Sequence, residues 1–321
     1  MRINWYPGHM HKASKELRKL LPKIDLVIEI VDARIPFSSQ NPFLTSLRGD
    51  KPCIKILNKS DLADPVMTAQ WQDYLEQDKG LKSLALDTTK SDKTERILDL
   101  CRKMVPAKAD SVHPVNCLIM GIPNVGKSTL INSLAGRIVA KTGNEPAVTK
   151  TQQRINLQNG VVLFDTPGML WPKIEHIDSG YRLAITGAIK DTALEYTDIA
   201  FYAAQFLLAN YGENLLQRYN LESLPESELE LLETLGRQRG SLRSRGHVDL
   251  EKISTILIHE IRNAVLGPLT FETPSMIEQE MVVLNEKLRL EEEKKAQEKP
   301  RNKRGRNRNQ KHPHKKSQYG K

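Results

Sequence analysis

The sequence predicts an α/β fold: a doubly wound sheet in the first half of the chain, then an all-helical domain, then a disordered basic tail. Three observations carry this. Up to about residue 175, short apolar runs alternate with amphipathic stretches. From 180 to 265, apolar residues recur at helical spacing with few strand signals. From Lys294 to the end, twelve Lys/Arg stand against a single acid, Glu298.

The runs at residues 26–31, 53–57, 81–86, 115–120 and 161–164 read as strands. The first, fourth and last are nearly continuous apolar segments, as expected of strands covered on both faces. Helical patterns lie between them at 65–77, 93–104 and 127–135. After Trp171-Pro172 the period becomes helical throughout, broken by the basic stretch Gly240-Ser-Leu-Arg-Ser-Arg-Gly246. The stretch 276–299 is charged and predicts one exposed helix. From Pro300 the chain is too polar and too like-charged to bury a core. The expected domains are 1–175, 176–275 and 276–321.

Composition excludes several classes. Apolar residues make up 39% of the 321, enough for a core, but no stretch reaches the ~20 consecutive apolar residues of a membrane span. The nearest, 199–209, is interrupted by Gln205. Residues 1–8 hold no apolar signal-peptide core, so the expected location is cytoplasmic. Cys53, Cys101 and Cys117 lack paired spacing and read as buried, inert thiols. The net charge of +9 is uneven: residues 294–321 carry +11, so the remaining 293 sum to −2. A near-neutral body with a polycationic tail points to a polyanionic partner, with nucleic acid the commonest.

Gly121-Ile-Pro-Asn-Val-Gly-Lys-Ser128 matches G-x-x-x-x-G-K-[ST] directly after a predicted strand and before a predicted helix, the context that this phosphate-binding loop requires. Its backbone N–H groups and the helix N-terminus cradle phosphates. Lys127 supplies a cation to the β- and γ-phosphates, and Ser128 a hydroxyl ligand for Mg²⁺. Contacts to the nucleotide are expected from Asn124, Val125, Gly126, Lys127, Ser128 and Thr129. About forty residues on, Asp165-Thr-Pro-Gly168 ends a strand. Asp165 can join the Mg²⁺ shell, and the Gly168 N–H can reach the γ-phosphate. Between them lies Pro146-Ala-Val-Thr-Lys-Thr151, a switch candidate in which Thr149 is the expected second Mg²⁺ hydroxyl and Thr151 the alternative.

Asn58-Lys-Ser-Asp61 follows the strand at 53–57 and is the N-K-x-D pattern that selects guanine. The Asp61 carboxylate can accept from N1–H and the exocyclic amine, a pair adenine lacks, so adenine would leave a buried acceptor unpaired. Lys59 covers the base face with its stem, and Ser60 completes the loop. Asn58 either bonds the base edge or ties this loop to the phosphate loop. Asp87 and Thr88, ending the next strand, can serve as a companion base-contacting loop. All of this precedes the phosphate loop, whereas most GTPases place it after. The order is that of a circularly permuted domain, which compact folds tolerate.

This order, with Trp5-Tyr-Pro-Gly-His-Met10, Asp32-Ala-Arg-Ile-Pro36 and Leu183-Ala-Ile-Thr-Gly-Ala-Ile-Lys190, resembles the YlqF/RbgA family of ribosome-assembly GTPases over about residues 1–280. The resemblance implies a circularly permuted Ras-like P-loop G domain and a helical C-terminal domain. It also implies late work on the large ribosomal subunit, with slow turnover that the particle accelerates. Two features depart from the family: Ala147 stands where a glycine is common, and the tail beyond about 295 lies outside the family core. Position 169 is Met where Ras-like GTPases carry a water-orienting Gln. The resemblance maps the catalytic role onto His9, with a structural or RNA-contacting role as the alternative. It maps a potassium-binding role onto Asn124. Expected partners are GTP or GDP, the large subunit and its rRNA, with no membrane and a monomeric chain. An RNA-binding assembly factor that uses GTP mainly as a structural ligand is the alternative function.

Overall fold

The computed structural model describes residues 15–87, 94–108, 113–140, 153–157, 159–168, 170, 174–191 and 195–308. The chain divides into two compact units, Met1–Pro274 and Ser275–Lys321.

In the first unit a six-stranded sheet holds β1 (Leu26–Asp32), β2 (Cys53–Asn58), β3 (Leu81–Leu86), β4 (Val115–Gly121), β5 (Gln153–Asn156) and β6 (Val161–Asp165). The strand order is β3-β2-β1-β4-β6-β5. All neighbours are parallel except β5, which runs antiparallel to β6. All seven residues of β1 are buried, which is why that segment reads as a nearly continuous apolar run; all six of β2 are buried too, Lys55 among them. Around the sheet lie α1 (Pro42–Arg48), α2 (Pro65–Leu75), α3 (Thr94–Met104) and α4 (Lys127–Ala135). Moving outward from the centre, order runs β1-β2-β3 one way and β4-β6-β5 the other. The reversal falls between β1 and β4, the crevice where doubly wound sheets bind ligands at the carboxyl ends of their strands.

Helices α5 (Ile177–Ile185), α6 (Tyr196–Asn210), α7 (Gly212–Tyr219), α8 (Glu228–Gln238) and α9 (Leu250–Arg262) follow. The face of α6 that carries Ile199, Ala200, Ala203, Ala204 and Leu207 is buried, as are Ile253, Leu257, Ile258 and Ile261 of α9, and the two helices pack together. Alanines on α6 let the axes approach. The basic break lies between α8 and α9, where Ser244–Gly246 forms a short turn and Leu242 bridges Val248. After α9 the chain returns to the sheet. The Phe271 amide donates to the Arg34 carbonyl at 2.8 Å, and Trp71 Nε1 to the Glu272 carbonyl at 2.9 Å. The buried Glu272 carboxylate accepts from the amides of Phe37 and Ser38. Burial raises its pKa, with Arg182 opposing.

Two elements were not anticipated. β5 has one buried residue in four, Ile155, so it offers no period-two signal. α1 is seven residues long, begun by Asn41, which accepts from the Phe43 amide, and by Pro42. In the second unit, α10 (Pro274–Arg308) includes the expected exposed helix and continues past Pro300. Arg and Lys are good helix formers, whereas a proline such as Pro300 costs a helix a backbone donor and a ring clash with the preceding turn. No helix among the described residues is long and apolar enough to cross a membrane.

Candidate nucleotide site

The loop after β4 sits at the crevice between β1 and β4. Asn124 and Gly126 both adopt left-handed backbone, φ 59 and 92, and Gly126 stands directly before α4. Such a pair turns successive amides toward one concavity, an anion-binding arrangement at a helix N-terminus. Val125 is buried, Ser128 half-buried and Thr129 exposed. Lys127 is 6% exposed and forms an ion pair with Oδ1 of Asp165 at the end of β6. Burial pushes the Asp165 pKa up and the Lys127 pKa down, and each charge opposes the shift of the other. Gly168 closes against the loop: a Cβ there would lie 3.2 Å from Cα and N of Pro123. A side chain there would require the phosphate loop to give by a few tenths of an ångström.

The guanine-pattern loop comes to the same place. Asn58 Nδ2 donates to the Val125 carbonyl at 2.6 Å, so Asn58 takes the loop-tying role. The Ser60 amide donates to the Leu86 carbonyl at 3.0 Å, bringing the loop beside the half-buried Asp87. Asp61 is exposed. Thus Asn58, Lys59, Ser60, Asp61 and Asp87 gather with Asn124–Thr129, Asp165 and Gly168 around one end of the sheet. His9, Thr88, Thr149, Thr151 and Met169 lie outside the described residues.

P-loop GTPases generally use Mg²⁺. The residues present fit the ion. Among the described residues, Asp165 Oδ2 is buried without a hydrogen-bond partner. An unpaired carboxylate oxygen in a dry site is costly unless a cation or donor meets it. Asn58 Oδ1 is buried and unpartnered in the same sense. For Asn124, the structure engages its amide nitrogen: Nδ2 donates to the Gly187 carbonyl at 2.8 Å.

That contact belongs to a set that sequence reasoning missed. The carbonyls of residues 184–187, at the end of α5, are all taken by side chains. Arg262 gives Nη2 to Ala184 at 2.8 Å and Nε to Ile185 at 2.9 Å. Arg34 reaches Thr186 at 3.4 Å, and Asn124 takes Gly187. Arg34 and residues 184–187 sit inside the two motifs 32–36 and 183–190, quoted above only as marks of resemblance, while Asn124 belongs to the phosphate loop and Arg262 to α9. Nothing in their spacing said that they meet.

A family model described as "50S ribosome-binding GTPase" matches residues 116–235. The curated protein "Ribosome biogenesis GTPase A" of Priestia megaterium is 45% identical over 287 residues, covering 87% of this chain and 99% of that protein. Its namesake in Bacillus pumilus is 45% identical over 281 residues, covering 85% and 99%. The solved structure of GNP-bound YlqF from T. maritima is 28% identical with a TM-score of 0.57, covering 82% of this chain and 98% of its own. A phosphate loop joined to a guanine-pattern loop that precedes it in sequence, in a chain aligned over nearly the whole length of these relatives, places it: the chain belongs to the ribosome biogenesis GTPase A family and is a GTPase.

Proposed function

We propose that this GTPase acts as a switch late in assembly of the large ribosomal subunit, binding rRNA within the particle, with hydrolysis stimulated by that particle. The observation that carries the nucleotide half is the 2.6 Å tie from Asn58 to the Val125 carbonyl. It makes base reading and phosphate holding one site despite their inverted order. The ribosomal half is supported by the matched family description, "50S ribosome-binding GTPase".

In this reading Asp61 pairs with guanine, Lys59 covers the base, and Asp87 with Thr88 flanks it. Residues 124–129 hold the phosphates, with Lys127 on the β- and γ-oxygens and the Gly168 amide at the γ-phosphate. Ser128, Asp165 and Thr149 hold Mg²⁺, which neutralises phosphate charge when bound. Asn124 contributes to a potassium site. His9 orients water once the particle orders its segment. Residues 1–175 form the G domain, and residues 176–275 face RNA. The tail adds counterion-releasing contacts, and the chain works as a cytoplasmic monomer.

The test is GTP turnover in potassium buffer, with and without purified large subunits. Turnover should rise with the particle and fall back in His9→Ala while GTP affinity holds. Turnover indifferent to the particle would overturn the switch reading and leave a GTPase that acts elsewhere. Removing residues 295–321 should flatten the salt dependence of particle binding.

A further inference from the structure

Lys59 stands at φ 59, left-handed backbone that strains a residue with a β-carbon. Its side chain is 23% exposed, and its ammonium reaches back to the end of β1, where Nζ lies 3.0 Å from Oδ2 of Asp32. Asp32 is almost wholly buried, and both of its oxygens are engaged by Arg34, through Nε to Oδ1 at 2.9 Å and Nη2 to Oδ2 at 2.8 Å. The Arg34 amide adds a third bond, to Oδ1 at 3.1 Å. Nor can the guanidinium swing. Nη1 donates to the Arg262 carbonyl and Nη2 to the Thr186 carbonyl, each at 3.4 Å.

A buried pair that only closed the turn after β1 would be complete with Arg34 alone, because a bidentate fork satisfies a carboxylate. Here the carboxylate takes a second cation, from the loop after β2, at the residue of the guanine pattern whose stem would cross the base. We infer that Asp32 and Arg34 are positioning residues for guanine-nucleotide binding, Asp32 holding the Lys59 ammonium so that the stem is presented to the base and Arg34 fixing Asp32. The inference rests on reading Asn58–Asp61 as the guanine loop. Burial alone would raise the Asp32 pKa, but Arg34 and Lys59 hold it far below the carboxylate range, so the carboxylate stays ionised. Asn58 anchors its end of the loop to the phosphate loop, whereas Lys59, one residue on, is held by no backbone ladder. A long flexible side chain left untethered would lose several rotamers each time the base bound, at a cost in affinity.

The test is a double-mutant cycle on GDP affinity in the full chain, with Asp32→Asn and Lys59→Met. Lys59→Met keeps the stem and removes the ammonium. Each single change should raise the GDP dissociation constant about tenfold. The double variant should bind no more weakly than Lys59→Met alone, because Asp32 acts only through that ammonium. Effects that add would make Asp32 a structural residue and overturn the inference. If Asp32→Asn does not fold, Arg34→Lys, which keeps a cation and loses the fork, takes its place in the cycle. Lys59→Met alone also overturns the inference if it binds GDP as tightly as the unaltered chain. Guanine reading is scored separately by GTP against ATP affinity. Equal affinities there would remove the guanine loop itself, whereas intact guanine preference with an additive cycle removes only the positioning role.

Discussion

Asp32 ends β1 and Asp165 ends β6, on either side of β4 at the same edge of the sheet, and they are 2% and 0% exposed. Their surroundings differ. Asp32 has both oxygens taken, by Arg34 and Lys59, and its pKa is held low. Asp165 has Lys127 on one oxygen and, among the described residues, nothing on the other; burial raises its pKa. Protein completes the first site and leaves the second incomplete. A buried carboxylate with an unmet oxygen weakens the fold, and the sheet tolerates it where a ligand cation would restore the missing partner. Equal burial therefore says little about role. Which oxygens are met says more.

The largest expected effect comes from breaking the incomplete site. Lys127→Met should lower GTP hydrolysis by at least ~10²-fold, since the cation proposed for the β- and γ-phosphates is lost. It should also destabilise the nucleotide-free protein by about 3 kcal/mol, because removing one partner strands the other buried charge. Adding Asp165→Asn should restore most of that stability and none of the activity. Denaturant unfolding of the three variants, read beside their turnover, checks both halves. If the double variant is no more stable than Lys127→Met, the Asp165 charge is not the source of the loss.

Asp32 gives the opposite pH signature. Its pKa is depressed in the folded state, so its contribution is whole above about pH 4, the unfolded carboxylate value, and drains away as pH falls below it. Asp32→Asn should cost about 2–3 kcal/mol at neutral pH, by leaving Arg34 and Lys59 facing each other. The gap from the unaltered protein should then shrink as the solution is acidified below about pH 4. Asp165 behaves in reverse: with a raised pKa, the folded state loses stability as pH climbs through that value. Acid titrations of unfolding free energy for the unaltered protein and Asp32→Asn check this. A gap that stays constant down to pH 2 would mean that folding does not lower the Asp32 pKa.

The part of this comparison written in the sequence is the phosphate half. Lys127 and Asp165 belong to patterns whose chemistry demands those residue types, and strand signals on both sides give their context. β1, β4 and β6 were legible for a related reason: near-complete burial gives a nearly continuous apolar run. β5 was not legible, because an edge strand with Ile155 as its one buried side chain has no pattern to show. Asp32 and Arg34 were visible only as letters in a resembling motif. Their partners lie far away in sequence: Lys59 in the loop after β2, Thr186 just beyond α5, Arg262 on α9. A bond across that separation leaves no periodic trace at either end. The same holds for the grip of Asn124 on Gly187.

That grip gives the smallest expected effect and the sharpest test of how far the nucleotide edge reaches. Gly187 sits at φ 79, a region that an alanine enters only under strain, and a Cβ placed there would meet Arg262 Cζ and Nε at 3.5 Å, an ordinary contact. Gly187→Ala should therefore cost backbone strain alone, about 1 kcal/mol of stability, lowering the melting temperature by a few degrees. The Gly187 carbonyl survives the change, so the bond from Asn124 persists and nucleotide affinity should stay within about twofold, a free-energy change under ~0.5 kcal/mol. Thermal unfolding and GDP titration on the same preparation check the two expectations together. Should the affinity fall much further while the protein stays folded, the end of α5 would be setting the conformation of Asn124 and, through it, of the phosphate loop. The line between a completed structural junction and an incomplete ligand site would then have to be redrawn to place residues 184–187 on the ligand side.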